Sequence, residues 1–195
     1  MDWKAKQAAQ AAGVAALVAC NPHLVPAAGC KGGALIAATK NIKTELALAF
    51  PGVKFSIKSR RFSMGDAIDV RWTDGPCVSQ VDEIIDRYSA GSFDGMTDSY
   101  TYSRDYWPQA FGDAKYVHSA REMSDAAVEK AIRLVRSRWS IAEELSVREF
   151  RAGALWGKYP SNMARSVQDE IANALCRQCY ALTKPYIRKS EEVAA

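Results

Sequence analysis

Residues 50–102 read FPGVKFSIKSRRFSMGDAIDVRWTDGPCVSQVDEIIDRYSAGSFDGMTDSYTY, and this stretch decides the fold. Phe55 and Ile57 alternate with Lys54, Ser56 and Lys58, and Ile68, Val70 and Trp72 alternate with Asp69, Arg71 and Thr73. A side-chain period of two marks half-buried strands. Between them, Phe62-Ser63-Met64-Gly65-Asp66 supplies a glycine where a hairpin loop needs positive φ, and Asp74-Gly75-Pro76 ends the second strand. Val78, Val81, Ile84, Ile85 and Tyr88 then recur at helical spacing, with Asp82, Glu83, Asp86 and Arg87 expected to face water. That helix stops before Gly91. The stretch thus predicts a hairpin, a helix and a return to strand.

Working outward, Trp3 to Ala19 is alanine-dominated and predicts a helix that Gly13 weakens in the middle. Its side chains bury little area each, at about 0.8 kcal/mol per methylene. Asn21-Pro22 and Pro26 end it, and the run to Gly33 reads as loop. From Ala34 to Phe50, Leu35, Ile36, Ile42, Leu46 and Phe50 share one helical face, with Lys40, Lys43 and Glu45 assigned to the other. Downstream, Ser99 to Arg104 and Lys115 to Glu122 alternate as strands around a loop holding Tyr106-Trp107-Pro108 and Gly112-Asp113. Ser124 caps a helix carrying Val128, Ile132, Val135 and Trp139. A connection around Arg151 to Ser161 leads to a helix from Asn162 to about Leu182, buried through Met163, Val167, Ile171, Leu175 and Leu182.

The class expected is α+β: an antiparallel sheet of about four strands, helices packed on one face, and helical extensions at both ends. Residues 1–33 form an N-terminal helix and loop, 34–140 a central domain, and 141–195 a helical extension packed on it, too poor for a core of its own.

Composition narrows the function. The 195 residues are 48% apolar and 25% charged with a net charge of +4, a balance that permits an anionic partner without requiring one. A mimic of DNA would need a dense negative surface, which this chain lacks. Five cysteines, Cys20, Cys30, Cys77, Cys176 and Cys179, and no secretory pattern point to reduced thiols in a cytoplasm. Ala8 to Cys20 is too short to span a bilayer, so no membrane partner is expected.

Three sets of residues carry chemistry. Lys54, Lys58, Arg60, Arg61 and Arg71 belong to the hairpin, and if Tyr100 and Tyr102 share its outward face, cations and rings interleave there. Cations offset phosphates while rings stack on unpaired bases, so the set suits nucleic acid. A solvated face with cross-strand pairs such as Asp69 with lysine or arginine explains the same residues. Asp66, Asp74, Asp94 and Asp98, beside Gly65, Gly75, Gly91 and Gly95, would serve a metal or acid–base chemistry, or ordinary turns in which the carboxylate bonds amides two residues on. Cys20, His23, Cys30 and the pair Cys176 and Cys179 would serve zinc, or core packing. The two histidines come without a nucleophile elbow, phosphate-binding loop or dinucleotide fingerprint, so no catalytic residue, metal or cofactor is assigned. An exposed Trp107 in its loop would be a hot spot for a protein partner.

FPGVKFSIKS, the segment SMGDAIDVRWTDGP and GSFDGMTDSY resemble the large polyvalent protein-associated domain family numbered 29, a module of phage and conjugative-plasmid proteins. The resemblance covers roughly the middle half of the chain and implies the same order of helix and hairpin. The family pattern places a hydroxyl residue after Asp-Gly-Pro as a helix cap, where this chain has Cys77, so Ser79 becomes the alternative cap. The resemblance further implies a mobile-element protein in the bacterial cytoplasm that helps incoming DNA survive host defences. The function expected is therefore a non-enzymatic accessory or anti-defence protein, such as an inhibitor of a nucleoprotein defence complex of the CRISPR kind, whose partner is the protein complex or nucleic acid. A plain nucleic-acid-binding module using the basic hairpin, and a metal-dependent enzyme using Asp94 and Asp98, stay open beside it, as does the oligomeric state.

Overall fold

The computed structural model describes residues 3–103, 105–160 and 164–177. β1 (Phe55–Phe62) and β2 (Gly65–Thr73) form the expected antiparallel hairpin, with Phe55 opposite Trp72, Ile57 opposite Val70 and Ser59 opposite Ile68. Ser63 and Met64 make its two-residue loop. The alternation holds as burial: Ile68, Val70 and Trp72 are buried while Ser56, Lys58 and Arg71 are exposed. α2 (Ala34–Ala49) covers the apolar side of β1, burying Leu35, Ile42 and Leu46, with Phe50 at its C-cap.

The α+β class is as expected, but the strands divide between two sheets. β5 (Tyr116–Glu122) joins the hairpin in a three-stranded sheet of order β1-β2-β5. Lys115 N donates to Asp66 Oδ1 at 2.7 Å and Asp74 N to Glu122 O at 2.8 Å, so the two strands advance together and the sheet is mixed rather than antiparallel. β3 (Gly91–Asp94) and β4 (Ser99–Tyr102) pair separately, Phe93 opposite Tyr100. Four residues per strand is too short a run for a period to show, which is why β3 had no sequence signal.

α3 (Val78–Ile85) passes into a single 3-10 turn at Asp86–Tyr88, and Val81, Ile84, Ile85 and Tyr88 are buried as the stripe predicts, while Val78 at the helix start is exposed. Ser79 lies inside α3 rather than at its cap. The expected loop at Tyr106 to Phe111 is instead a short helix, α4 (Tyr106–Phe111). Pro108 sits in its first turn, where a missing N–H costs nothing. Gly112 ends α4 at φ +86°, and a Cβ there would lie 2.1 Å from Ala34 O, so only glycine lets α4 close on the start of α2. α1 (Trp3–Cys20) runs along α4 with no fully buried residue, and Gly13 receives the Tyr106 ring where a Cβ would come within 2.7 Å of it.

These elements form one of two compact units among the described residues, which takes the chain to Trp72 and again from Val78 to Ala120; the other takes Thr73–Cys77 and the chain from Arg121. The second unit has a core after all. α5 (Asp125–Trp139), α6 (Val147–Arg151) and α7 (Val167–Arg177) bury Val128, Ile132, Val135, Leu155, Val167, Ile171 and Leu175 together. Ser124 Oγ caps α5 by accepting from Ala127 N at 3.1 Å, as expected. A capping box between Ser146 and Glu149 starts α6, which the periodicity did not reveal. The expected helix from Asn162 to about Leu182 is seen as Val167–Arg177, and Arg104, Met163, Cys179 and Leu182 lie outside the described residues.

Candidate binding face

The pleat of the hairpin sorts its basic residues. Ser56, Lys58 and Arg60 stand opposite Arg71, Asp69 and Ala67, on the side away from Ile68, Val70 and Trp72. Lys58, Arg60 and Arg71 therefore share the outward face, and exposed Lys54 directly precedes β1. Arg61 departs from the expected set. It pairs with Asp66, one residue out of phase, and its Nη2 donates to Gly32 O at 2.9 Å. Arg60 Nε donates to Asp69 Oδ2 at 3.0 Å, the cross-strand pairing of a solvated face; such exposed pairs contribute roughly 0.2–1 kcal/mol.

β5 adds rings to this face. Tyr116 stacks with Phe62 at 6.3 Å and 19° and with His118 at 6.1 Å and 7°, and the Arg60 guanidinium lies 5.8 Å from the centre of the Phe62 ring. Phe62 is 43% exposed and His118 is exposed. Tyr100 and Tyr102 do not lie on the hairpin's sheet, because β4 belongs to the other one. Tyr100 nevertheless meets Tyr116 edge-on at 6.2 Å and Tyr102 at 4.8 Å. Lys115 Nζ lies 5.3 Å from the Tyr100 ring centre and 5.5 Å from that of Tyr116. The Tyr100 hydroxyl donates to Lys115 O at 2.8 Å, and burial pushes its pKa up from the usual phenol value. Cations and rings are thus interleaved, through residues the sequence reading did not single out: Phe62, Lys115, Tyr116 and His118. The alternation of Tyr116 and His118 was the available signal, but it did not say which strand they would adjoin.

Trp107 is not an exposed hot spot. It is 7% exposed, 4.7 Å from the Phe111 ring and edge-on to Tyr88 at 6.0 Å. The Arg87 guanidinium covers it at 4.1 Å, close enough for a cation–π contact. Arg87 also bonds the Glu45 carboxylate, whose other oxygen accepts the Tyr88 hydroxyl at 2.5 Å. Glu45, assigned to the water-facing side of α2, is therefore buried, and Arg87 lies mostly beneath the surface rather than facing water. A buried carboxylate needs such partners. Beside this seam a cleft of about 810 Å³ is lined by Leu17, Asp82, Glu83, Asp86, Asp105 and Trp107, among others. Burial, then the neighbouring Asp82, raises the Asp86 carboxyl above its usual range. Four carboxylates and the Arg87 guanidinium thus line that cleft.

Asp94 and Asp98 serve the β3–β4 turn, while Asp66 and Asp74 tie down backbone 49 and 50 residues away. Asp94 accepts from Met96 N and the Thr97 hydroxyl, both at 2.9 Å, which holds its carboxyl below the usual range. Asp66 accepts from Lys115 N, Asp74 from Ser124 N at 2.9 Å, and Asp98 sits at φ +49°. Among the described residues no three His, Cys, Asp or Glu side chains come together as metal ligands. Cys20, Cys30 and Cys176 form no disulfide, whereas Cys77 is disulfide-bonded, unlike the reduced state expected for every thiol.

Residues 35–124 match the family model described as large polyvalent protein associated domain 29, the family that the three motifs resemble. The match takes in α2, both sheets and α4, so the basic hairpin and the rings of β4 and β5 all lie inside the module. No curated protein and no solved structure matches the chain. Among the described residues no helix is long and apolar enough to cross a membrane.

Proposed function

On the footing of that polyvalent-protein module, we propose that the chain is a non-enzymatic accessory protein of a phage or conjugative plasmid. It acts in the bacterial cytoplasm against a host nucleoprotein defence complex, of the CRISPR kind, by engaging the nucleic acid of that complex. The observation that carries this reading is the outward face of β1-β2-β5, which Lys58, Arg60 and Arg71 share with the open rings of Phe62 and His118. Cations with accessible rings answer the two chemistries of nucleic acid, phosphate and base. A purely solvated face accounts for the Arg60–Asp69 pair but supplies no reason for the row of rings.

A tagged protein drawn through host lysate, with and without nuclease, tests this reading. The expected result is a nucleoprotein complex whose recovery falls on nuclease treatment and in a Lys58→Glu, Arg60→Glu, Arg71→Glu variant. Recovery unchanged by both would overturn it. A protein surface is the second reading, favoured by the β3–β4 hairpin, where Phe93, Met96 and Tyr102 are 54%, 96% and 67% exposed. It predicts a complex that survives nuclease and is lost on Phe93→Ser with Met96→Ser.

A further inference from the structure

We infer that the ligand of this face is an unpaired strand rather than a duplex, with Phe62, Tyr116 and His118 as the surface on which bases stack. The inference rests on the nucleic-acid reading above and narrows it.

Charge comes first. A duplex offers its phosphates outward and keeps its bases stacked inside, so tight duplex binders neutralise roughly 6–10 phosphates. This face cannot. Arg60 is engaged by Asp69, Lys115 Nζ donates to Met64 O at 3.1 Å while sitting over two tyrosine rings, and Arg61 is turned to Gly32. Lys54, Lys58 and Arg71 are left, and among the described residues none of them is in an ion pair. Three cations would give a salt slope of about −2 on a single strand, shallow for a nucleic-acid binder.

The rings supply what the charge does not. Phe62 at the end of β1 is followed by Tyr116 and then His118 along β5 with nearly parallel planes, and their centroid separations of 6.3 Å and 6.1 Å leave them offset rather than face to face. Part of each end ring therefore stays open to solvent, as the exposure of Phe62 and His118 shows. Every unpaired base has a π-face, and stacking on such rings is strong and tolerant of sequence. A paired base has no free face to offer.

The experiment is fluorescence anisotropy of the whole protein with a labelled oligothymidylate and a labelled mixed-sequence duplex of the same length, over a salt series. The expected result is an affinity for the oligothymidylate at least about tenfold above that for the duplex. Phe62→Ala and His118→Ala should each weaken oligothymidylate binding about tenfold and leave duplex binding unchanged. Phe62→Leu keeps the apolar bulk and removes the ring, so the same loss there is not one of folding. Equal or tighter duplex binding, or wild-type affinity in Phe62→Leu and His118→Ala, overturns the inference while leaving the nucleic-acid reading intact. No binding of either probe overturns both.

Discussion

Among the described residues of the first unit, two places bring a guanidinium to an aromatic ring, and they differ in what surrounds the pair. In the seam under α2, Arg87 lies 4.1 Å over Trp107, and Glu45, buried to 1% exposure, bonds both Arg87 and Tyr88. On the sheet face, Arg60 lies 5.8 Å from Phe62, its carboxylate partner Asp69 is partly in water, and the rings stay open. Burial makes every polar group in the seam need a partner, so the seam is committed to stability. Water meets that need on the face, which leaves its groups available to a ligand.

The sharpest way to break this contrast is Glu45→Ala, which leaves Arg87 and Tyr88 without their shared acceptor. The expected loss is about 3–5 kcal/mol, read from urea unfolding. A loss under about 1 kcal/mol would mean that the seam is no more committed than the face.

Next in size is Tyr88→Phe, expected to cost about 1.5–3 kcal/mol because its hydroxyl donates to a buried carboxylate. It also carries a pH signature. Burial first, and Glu45 second, hold the Tyr88 phenol far above its usual value. Below about pH 10 the folded and unfolded chains both keep that proton; above it only the unfolded chain releases it, so stability falls as pH rises past about 10. Unfolding at about pH 8 and about pH 11 should show a steeper loss for the wild type than for Tyr88→Phe, and equal losses would separate the phenol from the seam's stability.

On the face the expected pattern reverses. Phe62→Ala should cost little stability while weakening oligothymidylate binding about tenfold. A large drop in unfolding free energy with unchanged binding would make Phe62 a packing residue like Trp107. The smallest effect belongs to Arg60→Ala, which removes an exposed ion pair and should shift stability by less than about 1 kcal/mol. Thermal unfolding in low and high salt checks it, since screening should erase most of that difference.

Legibility followed the same division. The hairpin, α2, α3 and the Ser124 cap were readable because their signals repeat along a few residues of chain, as Ile68, Val70 and Trp72 do. The outward placement of Lys58, Arg60 and Arg71 came from that alternation too. Arg61 was grouped with them although the same alternation, carried on to Phe62, turns it to the other side. Glu45 and Arg87 were given to solvent because charge on a helix normally faces water, and nothing nearby in sequence marks their partners 42 and 43 residues away. Trp107 looked like a loop residue because Pro108 follows it, although proline is well tolerated in a first helical turn.

Period and punctuation along the chain determined most of the elements and the α+β class, and three motifs carried the resemblance to the family whose model matches residues 35–124. Only the tertiary structure decided that β5 runs parallel beside β2, that the remaining strands form a sheet of their own, and that Tyr116 and His118 extend the row begun by Phe62. The reason is range: a dihedral preference or a side-chain period acts over a few bonds, whereas a strand's neighbour and a buried charge's partner are chosen by packing among residues far apart in the chain.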